Sequence, residues 1–177
     1  MAGVRVAPLE VHADLRGSFV ELHRRSRLND LPPMVQANLS RSGPGVLRGL
    51  HFHRLQSDLW VPLEGRATVG LYDLRAGSPS RGRAATLELD AARPEALYIP
   101  AGVAHGFATV RGFALVYLVD REYSADDEWG LAWDDPGVGI AWDLPEPVLS
   151  ERDRTNPSLA EALIDPPTFA SGPPELG

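Results

Sequence analysis

The middle of this chain is broken into short runs rich in Val, Leu, Tyr and Phe, such as Arg66 to Leu74 and Gly112 to Val119, set apart by Gly, Pro and Ser. Breakers recur at Gly43-Pro44-Gly45, Gly77-Ser78-Pro79, Pro100-Ala101-Gly102 and Val110-Arg111-Gly112. This spacing suits an all-β sandwich or closed barrel better than alternating strands and helices. Helix is the minority: a turn near Ser26 to Leu31, and a short helix over Ser158 to Ile164, where Asn156, Pro157 and Ser158 are start signals and Glu161 stands three after Ser158. One domain over residues 1–165 is expected, with an irregular tail at 166–177 that carries four prolines.

The length of 177 residues fits one core. A net charge of -7 offers no general attraction to nucleic acid or an anionic membrane, so an anionic ligand needs a local basic site. The absence of cysteine excludes a disulfide framework, a thiolate metal site and a cysteine nucleophile. No stretch reaches the length of a membrane-spanning helix, and a cytoplasmic protein is expected. No glycine-rich loop opens a helix, which removes the dinucleotide-binding and P-loop classes.

In Val46-Leu47-Arg48-Gly49-Leu50-His51-Phe52-His53, two histidines stand two apart and so share one face of a strand. His105 follows the Pro100-Ala101-Gly102 turn at a strand start, where it can converge on the same cavity. Alternation puts Arg48 on the face opposite His51 unless Gly49 makes a bulge. Taken alone, Tyr117 reads as a core tyrosine and Asp153 as a solvated loop carboxylate. Asp126 and Asp127 read as a solvated loop, and Trp60, Trp133 and Trp142 as packing residues.

Several short motifs in one order carry a family resemblance over about residues 14 to 160. They are Arg16 to Glu21, Gln36 to Ser40, Gly45 to His51, Asp73-Leu74-Arg75 with Ser78-Pro79, Pro100 to Phe107, Tyr117, Tyr123, Glu128, Trp133 to Pro136 and Leu149 to Asp153. In these the chain resembles the 3,5-epimerases of nucleotide-linked 4-dehydro-6-deoxy sugars. The resemblance implies a cupin-type antiparallel β-barrel (jelly roll) with a few short helices, a homodimer, a dTDP-linked sugar substrate and no dissociable cofactor. It also implies roles: His51 as base, oriented by Asp153; Tyr117 as proton donor; His105 near the sugar. Arg16, Phe19, Glu21, Gln36, Asn38, Arg48, Glu128 and Arg152 fall on nucleotide and diphosphate contacts.

The chain departs from that pattern at two positions. Where the family carries Gln after the base and a lysine a few residues on, this sequence has His53 and Asp58, and all 17 of its Lys and Arg residues are arginine. A carboxylate repels a developing enolate, whose stabilisation is commonly the largest catalytic contribution. His51, His53, Asp58 and His105 also resemble the spacing by which metal-binding cupins hold a divalent transition metal. Three readings follow: a nucleotide-sugar epimerase, a metal-dependent cupin enzyme, and a non-catalytic sugar-nucleotide binding protein. In the second, a His51 that ligates metal cannot also be the base.

Overall fold

A computed structural model of the chain describes residues 1–169. In chain order its strands are β1 (Arg5–Pro8), β2 (Val11–Asp14), β3 (Gly17–Val20), β4 (Gln36–Ser42), β5 (Val46–Phe52), β6 (Asp58–Asp73), β7 (Ala84–Asp90), β8 (Glu95–Ile99), β9 (Val103–Thr109), β10 (Phe113–Val119) and β11 (Trp129–Gly130). Two short helices, α1 (Glu151–Thr155) and α2 (Leu159–Ala162), follow. Each Gly/Pro breaker seen in the sequence falls between two strands. The expected turn near Ser26 is a 3₁₀ turn at Arg25–Arg27. The expected C-terminal helix forms as α2, capped by Ser158 with Glu161 completing the capping box.

The sixteen-residue strand β6 organises the architecture. Its first half pairs with β8 and β10, giving a sheet in the order β1-β8-β6-β10-β4. Its second half pairs with β7 and β9, giving β7-β6-β9-β5-β11. All these pairings are antiparallel. The strand passes from one sheet to the other at Gly65, whose φ of +70° favours glycine and whose missing side chain admits the carbonyl of Gly112.

Period-two alternation then decides which residues face between the sheets. Along β6, Trp60, Val69 and Leu71 point inward and pack with Leu97, Ile99, Val103, Phe107, Phe113 and Leu115. The intervening Leu59 and Val61 point outward under Leu9, Leu28, Leu31 and Met34. The outer face of the other sheet, with Leu47, Leu50, Phe52 and Ala104, is covered by the C-terminal segment through Leu131, Val138, Trp142 and Leu159. Fully buried aliphatic side chains such as Leu71 and Leu97 each stabilise the fold by about 1.5–3 kcal/mol. The loop after β6 forms a buried polar knot: Arg75 makes a bidentate pair with Asp73, and the hydroxyls of Ser78 and Ser80 donate to the same carboxylate.

Two features stand apart from the barrel. Strands β2 and β3 form a separate two-stranded hairpin. Of the expected tail, Thr168 bridges Ala76 and the N–H of Phe169 donates to the Ala76 carbonyl, while residues 170–177 lie outside the described residues. No helix among the described residues is long and apolar enough to cross a membrane.

Candidate active site

One end of the space between the sheets is not filled by apolar side chains and forms a cavity of about 450 Å³. The β4 and β10 wall supplies Gln36, Asn38, Ser40, Leu115 and Tyr117; the β5 and β9 wall supplies Arg48, His51, His53 and His105; β6 supplies Asp58 and Trp60; Tyr123, Glu128 and Arg152 stand at the C-terminal side.

Arg48 and His51 share this cavity because the β5–β9 register slips between them: Arg48 lies opposite Phe107, and His51 lies opposite His105. One extra residue in β5 is the bulge that alternation required. Gly49 makes it, with φ at +129° and a backbone so close to Gly106 that a Cβ would stand 2.7 Å from the Gly106 Cα. Arg48 then donates from Nε to the Ser42 hydroxyl at 2.8 Å.

His51 and Asp153 meet at 2.6 Å, from Nε2 to Oδ1. The carboxylate sits on α1, which Ser150 caps by accepting from the Asp153 N–H. Burial opposes ionisation of Asp153, but the hydrogen bond and charge of His51, helped by Ser150 and the N–H of Gly49, hold its carboxyl below the usual carboxylate range. An ionised carboxylate can only accept, so His51 donates from Nε2 and its Nδ1 is the basic nitrogen. Tyr117 comes from the opposite sheet, and burial, together with the charges of Asp58 and Glu128, pushes its phenol up from 10. It stays a proton donor at neutral pH.

Beside this pair lies a second polar group. His53 donates from Nδ1 to the carbonyl of Asp127 at 2.8 Å, and His105 from Nδ1 to the carbonyl of Val103 at 2.9 Å. Burial, the largest influence on His105, keeps its imidazole neutral by moving its pKa down to about 4. Asp58 accepts from Trp60 Nε1 at 3.0 Å and from Gln56 Nε2 at 2.9 Å. Ligand atoms of His53, Asp58 and His105 lie within 4.8 Å of one another. His51 is not in this group: it is paired with Asp153.

The nucleotide-contact residues divide as well. Gln36, Asn38, Arg48, Glu128 and Arg152 line the cavity, with Gln36 donating to Asn38 and Arg152 paired to Glu128. Arg16, Phe19 and Glu21 do not line it. Arg16 is nearly fully exposed and holds Asp14, Phe19 stacks on His12, and Glu21 pairs with Arg24.

The sequence profile of the dTDP-4-dehydrorhamnose 3,5-epimerase family matches residues 1–161. This chain belongs to that family. Spore coat polysaccharide biosynthesis protein SpsL of Bacillus subtilis (strain 168) is 39% identical over 144 residues, 79% of this chain and 95% of the relative. A dTDP-4-dehydrorhamnose 3,5-epimerase of Streptomyces griseus is 39% identical over 168 residues, 90% of this chain and 84% of the relative. Among solved structures, a double mutant of ChmJ, a 3'-monoepimerase from Streptomyces bikiniensis in complex with dTDP, superposes with a TM-score of 0.87 at 33% identity, covering 95% of this chain and 90% of that one. The two-sheet barrel is therefore the cupin jelly roll of these epimerases, as the motifs implied.

Three residues of this nucleotide-sugar epimerase escaped sequence reading. Trp60, read as packing, is a cavity wall and a hydrogen-bond donor to Asp58; standing two after Asp58 on a strand is the signal that puts both on one face. Gln56 orients the same carboxylate from a loop, where no periodicity marks it. Asp127, read as solvated, accepts from the N–H groups of Arg54, Leu55 and Gln56 and so fixes the loop between His53 and Asp58.

Proposed function

We propose that the protein inverts C3, C5 or both in a dTDP-linked 4-keto-6-deoxy sugar, with His51 as base, Asp153 orienting it and Tyr117 as acid. Support comes from one arrangement: an imidazole held in a single tautomer by a buried carboxylate faces a protonated phenol across one cavity. Nδ1 of His51 takes the proton next to the C4 ketone, leaving an enolate, and the Tyr117 hydroxyl returns a proton to the opposite face of the ring carbon. Solvent then reprotonates Tyr117 and deprotonates His51.

Gln36, Asn38, Arg48, Glu128, Arg152 and Tyr123 line the cavity and suit a nucleoside diphosphate, with Arg48 and Arg152 supplying positive charge that the chain as a whole lacks. Relatives with both specificities, the 3,5-epimerase of Streptomyces griseus and the 3'-monoepimerase ChmJ, support a choice of C3, C5 or both.

We also propose that the protein works as a homodimer in the cytoplasm. An isolated two-stranded hairpin is marginal in water, yet among the described residues β2 and β3 pair only with each other and present Phe19 at 65% exposure. A second copy gives that hairpin a surface to lie on, and gives Arg16, Phe19 and Glu21 a cavity to serve.

The test is solvent exchange. Incubated with dTDP-4-keto-6-deoxyglucose in heavy water, the protein is expected to incorporate deuterium at C3 or C5, read by NMR. A failure to incorporate label at either carbon would favour the non-catalytic binding reading.

A further inference from the structure

His53, Asp58 and His105 bring two imidazoles and a carboxylate together on the wall of the cavity. A backbone carbonyl only accepts, so each of these histidines carries its proton on Nδ1 and keeps a lone pair on Nε2. Among the described residues neither Nε2 has a hydrogen-bond partner, and His105 Nε2 stands 3.8 Å from Asp58 Oδ2, too far for one. Asp58 is 3% exposed and receives only the neutral indole and amide of Trp60 and Gln56. Three electron-pair donors thus converge within 4.8 Å of one another.

Among the described residues no cationic side chain is hydrogen-bonded or ion-paired to Asp58, and the neutral His105 stands 3.8 Å from it. The chain has no lysine. The two arginines lining the cavity are engaged elsewhere: Arg48 with Ser42 and the Arg41 carbonyl, Arg152 with Glu128 and the Trp129 carbonyl. A buried carboxylate without a counter-charge is costly, and a bound cation removes that cost.

We propose that His53 Nε2, His105 Nε2 and the Asp58 carboxylate bind a divalent transition metal ion. Two imidazoles and one carboxylate select ions of the zinc, manganese, iron and nickel type over magnesium or calcium, which prefer oxygen alone. Ligand atoms at about 2.0–2.2 Å from one ion stand roughly 3–3.5 Å apart, so donors already within 4.8 Å close on it by small side-chain rotations. The groups behind the donors match what metal sites use. Carbonyls fix the histidine tautomers, and two hydrogen bonds aim the carboxylate. All three residues line the cavity that His51 and Tyr117 also line. If the epimerase reading holds, the ion lies where the ketone oxygen gains charge and supplies the positive centre that the chain lacks there.

The experiment uses tag-free full-length protein, stripped with chelator and titrated with Zn²⁺ in competition with a chromophoric chelator. One ion per chain is expected, with Mg²⁺ failing to compete. His53→Ala and Asp58→Asn should each weaken Zn²⁺ binding by more than about 100-fold, while His51→Ala binds as the parent does. Circular dichroism of the stripped proteins establishes that the variants fold, and His105→Gln replaces either one that does not. Uptake of no Zn²⁺, Mn²⁺ or Ni²⁺ by the stripped parent, or equal uptake by the folded variants, overturns the site. The epimerase reading is tested apart from this, by deuterium exchange before and after reloading. Exchange that returns only with metal assigns the ion its role at the ketone oxygen. Full exchange in the stripped protein removes that role, and no exchange in either form refutes the epimerase reading while leaving the binding result intact.

Discussion

His51 and Asp153 are 102 positions apart in the chain and 2.6 Å apart in the fold, with the carboxylate 4% exposed on a capped turn of helix. The pair gives the imidazole one tautomer and one orientation, which is what a base needs to work on a weakly acidic C–H bond. Asp153→Asn keeps the shape but no longer demands the proton on Nε2. Turnover is expected to fall by about 100-fold or more with little change in KM, measured by steady-state kinetics.

His51 and Tyr117 act on different halves of the reaction, so their variants separate. His51→Ala should stop loss of the sugar C–H proton to solvent. Tyr117→Phe should slow inversion more than it slows exchange, because the base is still present to remove and return a proton on its own face. Parallel NMR measurements of deuterium content and product configuration check this; equal loss of both in Tyr117→Phe would deny it the role of the opposite-face acid.

Asp58→Lys places a covalent cation where the metal is inferred. The variant is expected to bind no Zn²⁺ and to exchange sugar protons at a rate that chelator does not change. Chelator-sensitive exchange in the variant would show that the ion sits elsewhere.

The bulge at Gly49 is a stability prediction. Any side chain there meets Gly106 and must adopt φ near +129°, at a cost of about 2 kcal/mol or more. Gly49→Ala should lower Tm by roughly 4–8 °C in a chain of this size, measured by calorimetry. It should also reduce nucleotide affinity through Arg48.

Acid stability is expected to depend on Asp73. Burial opposes its charge, but Arg75, Ser78 and Ser80 hold its pKa at about 2, against 3.8 for the free group. A carboxyl with a depressed folded value contributes stability that is complete above about 3.8 and lost as pH falls toward 2. Asp73→Asn should therefore cost about 3–5 kcal/mol at neutral pH, where it breaks a buried ion pair. It should also show a flatter loss of Tm between pH 4 and 2 than the parent, checked by thermal melts across that range.

Much of the fold was legible because its signals are local. Gly43-Pro44-Gly45 and Pro100-Ala101-Gly102 interrupt backbone pairing wherever they occur, and alternation along Phe113 to Val119 requires Tyr117 to share a face with Leu115. The capping box of Ser158 and Glu161 marks a helix start by the same local logic. Helix α1 was not legible, since five residues carry no period and its cap, Ser150, also suits a loop.

By itself the sequence determined an all-β fold of many short strands and the shared face of His51 and His53, while the antiparallel barrel was implied by the resemblance to an epimerase family. These depend on neighbours along the chain, where geometry is set by bond angles and a period of two. The tertiary structure alone decided that a bulge turns Arg48 toward His51, and that Trp60 and Gln56 aim Asp58. It also decided that His51 joins Asp153 while His53, Asp58 and His105 form a separate group, and that Arg16, Phe19 and Glu21 stand away from the cavity of their own chain. Each of these turns on pairing between distant strands, where one inserted residue reverses a side chain, and no local pattern encodes which strand lies alongside.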